Sequence, residues 1–194
     1  VYRRNAGLRR MSKTRRRRGS MLRHPATPLV ALSCATWQTG RTYELLTRAA
    51  RTRPVIVVEP AVSSEFVALR RDRLVRGLTV VRPQIPGHLD GVEMETLLAE
   101  LLTEVPELAG CAAVDLWICS PLSTHYADDL PVRLTVFDYA EDRVGCPGAP
   151  ENLSLRQRDL FGVADVVIAD GTRLFAKAVT QHANVHCIPS VGEQ

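Results

Sequence analysis

Short apolar runs rich in β-branched residues recur along the chain, separated by stretches long enough for helices. Pro28–Ser33, Pro54–Val58, Leu78–Val81 and Val114–Cys119 are the first four. Leu134–Phe137, Val166–Ala169 and Val185–Ile188 complete the series. Short continuous apolar strands alternating with helices are the mark of a parallel sheet covered on both faces. Between the strands, Arg41–Arg51 carries an apolar stripe at Leu45, Leu46, Ala49 and Ala50. Val92–Leu102 carries one at Met94, Leu97, Leu98, Leu101 and Leu102, the spacing of a helix with one buried face. Two more helices are expected, one after the Leu134 strand and one opening at Asp170-Gly171-Thr172. The Leu78 strand is expected to close at Pro83 and the Pro86-Gly87 turn. With no Gly/Ser-rich linker and no internal repeat, the pattern predicts an α/β fold, a doubly wound and mostly parallel Rossmann-like sheet.

Charge divides the chain in two. The net charge of +4 comes from one end, since residues 1–24 hold ten of the 25 Lys and Arg and none of the 21 Asp and Glu. The rest is net acidic. Residues 1–25 have no apolar face and are expected to form a disordered basic tail, with 26–194 as the folded domain. The Arg15–Arg18 block also suits a nucleic acid or an anionic membrane surface, and a start at Met11 or Met21 would remove it. The acidic body speaks against specific nucleic-acid binding. The tail lacks the apolar core of a secretory signal, and no apolar run reaches the roughly 18 residues of a membrane span. A cytoplasmic place is expected, with at most peripheral contact with the inner face of the membrane.

Five cysteines, Cys34, Cys111, Cys119, Cys146 and Cys187, are scattered without a C-x-x-C pair. That spacing and the odd count favour reduced, mostly buried thiols over disulfides or zinc. His182, His186 and Cys187 lie close in sequence but in a strand entry poor in carboxylates, so no metal is expected.

In a sheet of this kind ligands collect beyond the carboxyl ends of the strands. The Leu134 run leads into Asp138, Glu141 and Asp142, three carboxylates in five residues. These either form a site, or Asp138 caps the next turn while the other two are solvated. Gly171 and Thr172 offer backbone N–H groups to a hydroxyl or phosphate oxygen, or form an ordinary helix start. Ser120 ends another strand. Trp37 follows the first strand and either stacks on a ligand or fills core. The G-x-G-x-x-G phosphate fingerprint is absent, so no dinucleotide or other cofactor is expected.

Several stretches, read together, carry a family resemblance. LWICSPL (116–122), VFDYAED (136–142), GAPENL (148–153), ADVVIADGTRLFAKA (164–178) and HANVHCIPS (182–190) follow one another in a characteristic order. Over about residues 29–191 the chain resembles the N-terminal half of GT-B glycosyltransferases of the family 4-like kind, most of all the bacterial cell-surface polysaccharide branch. Trp37 and Arg41 fit the first-loop Trp and Arg of that branch at a shorter spacing. Gln157 stands where members usually carry Glu, and Asp170 where they often carry Ser.

The resemblance implies an acceptor-binding half of an enzyme that moves a sugar from a nucleotide-sugar to a glycan or lipid-linked acceptor. It implies catalytic roles for Asp138, Glu141 and Asp142, as base or as partners of acceptor hydroxyls. Substrate binding falls to Trp37, Arg41, Ser120, Gly171 and Thr172. The donor site of the family lies in a second Rossmann-like domain, which is absent from these 194 residues. The isolated chain is therefore expected to be inactive, with a separately encoded donor domain as a candidate partner. The rival reading is a non-catalytic Rossmann-like domain that binds a sugar or a partner.

Overall fold

The computed structural model describes residues 27–33, 38, 40–89, 91–127, 129–144 and 146–190. The basic tail and Trp37 lie outside them. The chain opens with β1 (Leu29–Leu32), α1 (Gly40–Ala49) and β2 (Val55–Val58). There follow β3 (Val62–Ser64), β4 (Ala68–Val75), β5 (Leu78–Pro86) and α2 (Gly91–Thr103). After β6 (Val114–Ile118) comes a 3-10 helix over Pro121–Ala127, then β7 (Val132–Tyr139) and α3 (Leu153–Val163). The last elements are β8 (Val166–Ala169), α4 (Gly171–Ala178) and β9 (Val185–Cys187).

All pairings among the nine strands are parallel except β4 against β5. The central order is β5-β2-β1-β6-β7-β8-β9. Direction of winding reverses between β1 and β6, the switch point beside which such sheets open a crevice. Helices cover both faces. Leu46 of α1 and Ala50 just after it pack on Leu29, Ala31, Val55, Val57, Leu78 and Val80. On the other face, Leu102 of α2, Leu160 and Phe161 of α3 and Leu174 of α4 pack on alternate residues such as Val30, Leu116, Phe137 and Val167. The two-residue period of a strand sends neighbours to opposite faces, so every residue of β1 and β2 is buried. That is why these strands read as continuous apolar runs.

Three expectations need correction. β5 does not stop at Pro83. Val81 gives its carbonyl to Glu59 on the β2 side, so Pro83, two residues on, faces the same side. There β2 has ended its pairing at Val81 and β3 begins at Gln84, so no acceptor awaits the missing N–H. Second, the Leu134 strand runs on through Tyr139, because Asp138 and Tyr139 pair with Ile168 and Ala169 of β8. Asp138 is thus a strand residue and not a loop residue. Third, the described cysteines are not mostly buried: Cys111 and Cys119 are half-buried, while Cys146 and Cys187 are exposed in a loop and in the edge strand β9. β3 and β4 were not foreseen at all. ALRRDRLV is exposed over most of its length and shows no apolar alternation.

Candidate functional site

The carboxyl ends of β6, β7 and β8 divide the anticipated site residues into two groups. The first is buried. Asp138 lies on the α1 face of β7 with no exposed surface. Arg41, in the first turn of α1, donates through Nη2 to Asp138 Oδ1. Thr42 Oγ1 and Trp117 Nε1 donate to Oδ2 at 3.0 and 3.1 Å. Burial raises the Asp138 pKa, against the Arg41 charge and these three donors. Arg41 Nε lies 3.6 Å from Asp170, the residue before α4. Asp170 makes no side-chain cap to that helix. Its carboxylate instead accepts from Ser190 N at 2.7 Å and Ser190 Oγ at 2.6 Å. A largely buried network of hydrogen bonds and ion pairs therefore joins α1, β6, β7, the start of α4 and the segment after β9.

The second group lines a cleft of about 370 Å³ between the ends of β6 and β7 and the start of α3. Ser120, Glu141, Asp142 and Gln157 supply its polar wall, and Phe137 with the Pro147–Pro150 loop much of the rest. Asp142 Oδ2 accepts from Lys177 Nζ of α4. Burial opposes the Asp142 charge, but Lys177 outweighs it and Gln157 adds to it, so the carboxyl sits below its ordinary range. Asp142 Oδ1 is buried, with Tyr139 and Gln157 beside it but no hydrogen bond of ordinary geometry. Behind it lies Tyr139, whose hydroxyl is likewise without a hydrogen bond of ordinary geometry. Burial, with Asp142 close by, pushes that phenol up to about 12. Its ring is clamped by Phe137 and Phe161 at centroid distances of 5.4 and 5.3 Å. Glu141 is open to solvent and pairs with Arg143 at 2.8 Å.

Of the anticipated residues, Ser120, Glu141 and Asp142 meet in the cleft, while Arg41 and Asp138 meet in the interior. Gly171, with φ +81, and the exposed Thr172 open α4 but line neither. Thr42, Trp117, Gln157, Lys177 and Ser190 were not anticipated as site residues. Trp117 carried a signal, an isolated indole inside an apolar strand, because a buried indole N–H needs an acceptor. Lys177 carried none, since its partner is 35 residues away. His182, of the His-Cys trio, is held as a structural ring: Nδ1 accepts from Asn184 N and Nε2 reaches Ala164 O, both at 3.1 Å. Among the described residues no three His, Cys, Asp or Glu side chains converge as a metal-ligand set. No described helix is long and apolar enough to cross a membrane.

No family model and no curated protein matches the chain. Among solved structures, the chain is similar to a sucrose-phosphate synthase from Thermosynechococcus elongatus, with a TM-score of 0.58 at 12% identity over 84% of this chain. The likeness is one of fold, a Rossmann-like α/β sheet. The match takes in 48% of that synthase, so this chain spans about half its length. An α,α-trehalose 6-phosphate synthase from Burkholderia multivorans aligns over 80% of this chain and 42% of its own, with 10% identity and a TM-score of 0.44.

Proposed function

We propose that this domain is the acceptor-binding half of a GT-B glycosyltransferase, and that the cleft beside β6 and β7 receives the hydroxyl-rich acceptor. The observation that carries the reading is the cleft's polar wall of Ser120, Glu141, Asp142, Arg143 and Gln157 at the carboxyl edge of a glycosyltransferase-like sheet.

In this reading Asp142 and Gln157 orient the acceptor while Ser120 lines the opposite wall. Asp142, held ionised by Lys177 below its ordinary range, is a hydrogen-bond acceptor and a weak base. Asp138, with three donors on it, holds Arg41 and the first turn of α1. Glu141 is the carboxylate left open to take a proton. The acceptor oxygen would bond to the anomeric carbon as the bond to the departing nucleoside diphosphate breaks, the hydroxyl proton passing to Glu141. A second Rossmann-like domain would supply the donor site and the charge that stabilises the leaving diphosphate. The acceptor class is a glycan or a lipid-linked sugar, as in the polysaccharide-building branch that the sequence resembles.

Saturation-transfer NMR with a panel of mono- and oligosaccharides tests this. The expected outcome is saturable binding of at least one sugar, weakened about tenfold or more by Gln157→Leu or Asp142→Asn, each of which removes a charge-assisted or buried hydrogen bond. Sugar binding that ignores both substitutions would remove the cleft from consideration. The rival, a non-catalytic sugar-binding domain, draws on the sealing of Asp138 and the pairing of Asp142. It predicts sugar binding without any transfer, even when a donor domain is supplied.

A further inference from the structure

A second recess, of about 660 Å³, opens at the opposite end of the sheet, where β2 and β5 begin. Four arginines line it: Arg51 and Arg53 just after α1, Arg73 on β4 and Arg76 in the β4–β5 turn. The β4–β5 turn is pressed into place at Gly77, whose carbonyl accepts from Val55 N at 2.8 Å. A Cβ there would lie 2.3 Å from the Ala50 carbonyl, so only glycine lets Arg76 come this close to the end of α1. A register shift between Arg73 and Val75 breaks the ladder on the same strand, and such bulges re-aim side chains.

The charges around the recess are poorly matched. Arg53 donates to Asp115 at 2.5 Å. Among the described residues Arg51, Arg73 and Arg76 have no ion pair. Glu107, the carboxylate on the wall, is already held by Arg71, 2.7 Å from each of its oxygens, and by Thr79 at 3.1 Å. The carbonyl end of α1 favours a cation nearby, but it accounts for Arg51 and Arg53 only. Gathering guanidinium groups from three segments around one concavity is electrostatically uphill unless an anion fills it. Guanidinium forks match phosphate oxygens two at a time. Among the described residues no aromatic side chain lines the recess, so none of them stacks on a base there.

We propose that this recess binds an oligophosphate, a small molecule with two or more linked phosphate groups, at a site remote from the sugar cleft and independent of its role. The test is calorimetric titration of the full chain with pyrophosphate, tripolyphosphate and orthophosphate at matched ionic strength. One-to-one binding is expected for the two oligophosphates, with orthophosphate weaker. Arg51→Gln and Arg76→Gln, both at exposed positions, should each weaken it about tenfold, the worth of a charge-assisted bond. Arg76→Lys should fall between, having the charge but not the fork. Arg48→Gln, elsewhere on α1 beside Glu44 at 3.8 Å, should leave affinity unchanged. The basic N-terminal segment is present in every variant and cancels in the comparison. Equal loss in Arg48→Gln and Arg51→Gln would overturn the proposal in favour of general charge attraction. So would the absence of a one-to-one component, or binding of phosphatidylglycerol vesicles without binding of tripolyphosphate.

Discussion

Asp138 draws its donors from three residues on two other elements, and each would be left short if it were removed. Arg41 has a side chain only 5% exposed, and its Nε and Nη1 already lack hydrogen bonds. Deleting the carboxylate leaves Arg41 only its longer pair with Asp170, and breaking one side of a buried pair costs about 3–5 kcal/mol. Asp138→Ala should therefore lower stability by that order in urea unfolding. Glu141→Ala, three residues on, should leave it unchanged within error, because its pair with Arg143 lies in solvent. Equal effects would mean that the interior network is not formed in solution. Three carboxylates that look alike in DYAED thus have different duties: one sealed, one pinned to Lys177 at the cleft wall, and one open.

At the scale of elements, the β4–β5 hairpin is the part most dependent on a single backbone conformation. Gly77 has φ +84 and its missing Cβ leaves room for the Ala50 carbonyl at the end of α1. Gly110 has φ +72 with nothing near its Cβ position. Both should resist alanine, since L-residues are strained there by about 1 kcal/mol or more. Gly77→Ala adds a collision that only movement of the hairpin or of α1 relieves, so it should cost at least about 1 kcal/mol more than Gly110→Ala. Thermal melts of the two variants check this. The hairpin also blunts the edge of the sheet: Arg70, Arg71 and Arg73 along β4 disfavour pairing with another strand.

For the molecule as a whole, the stability profile in acid depends on carboxylates at opposite ends of the sheet. Asp115, 1% exposed at the start of β6, accepts from Arg53 and twice from Arg133. Burial opposes its charge, but the two arginines outweigh burial and hold the carboxyl below its usual range. Glu107 and Asp142 are lowered as well, again against burial, Glu107 by a backbone hydrogen bond and then by Arg71 and Thr79, and Asp142 chiefly by Lys177. A folded value below the unfolded one means that the unfolded chain binds more protons in acid. Their stabilisation is full above the ordinary carboxylate range and is lost as the pH falls through the folded values. Asp138 has the opposite sign: its raised value means that its contribution declines as pH rises. Asp115→Asn should lower the melting temperature at neutral pH and make its fall between about pH 5 and pH 3 shallower. An unchanged slope would show that Asp115 titrates alike in both states.

The strands and helices of the doubly wound sheet were legible because burial on both faces demands continuous apolar runs, as in LVAL and VIVV, and amphipathic stripes beside them. The carboxyl-edge location of the cleft was legible for the same reason, since parallel order implies where loops and helix starts meet. β3 and β4 were not, because an exposed edge strand has no buried face to mark it. Nor was the fate of Asp138. Its role turns on Arg41, 97 residues away, and on whether β8 extends the ladder past Phe137. Local pattern reports which residues must leave water. Which charges then meet depends on the order in which the strands lie side by side, and that order belongs to the folded molecule.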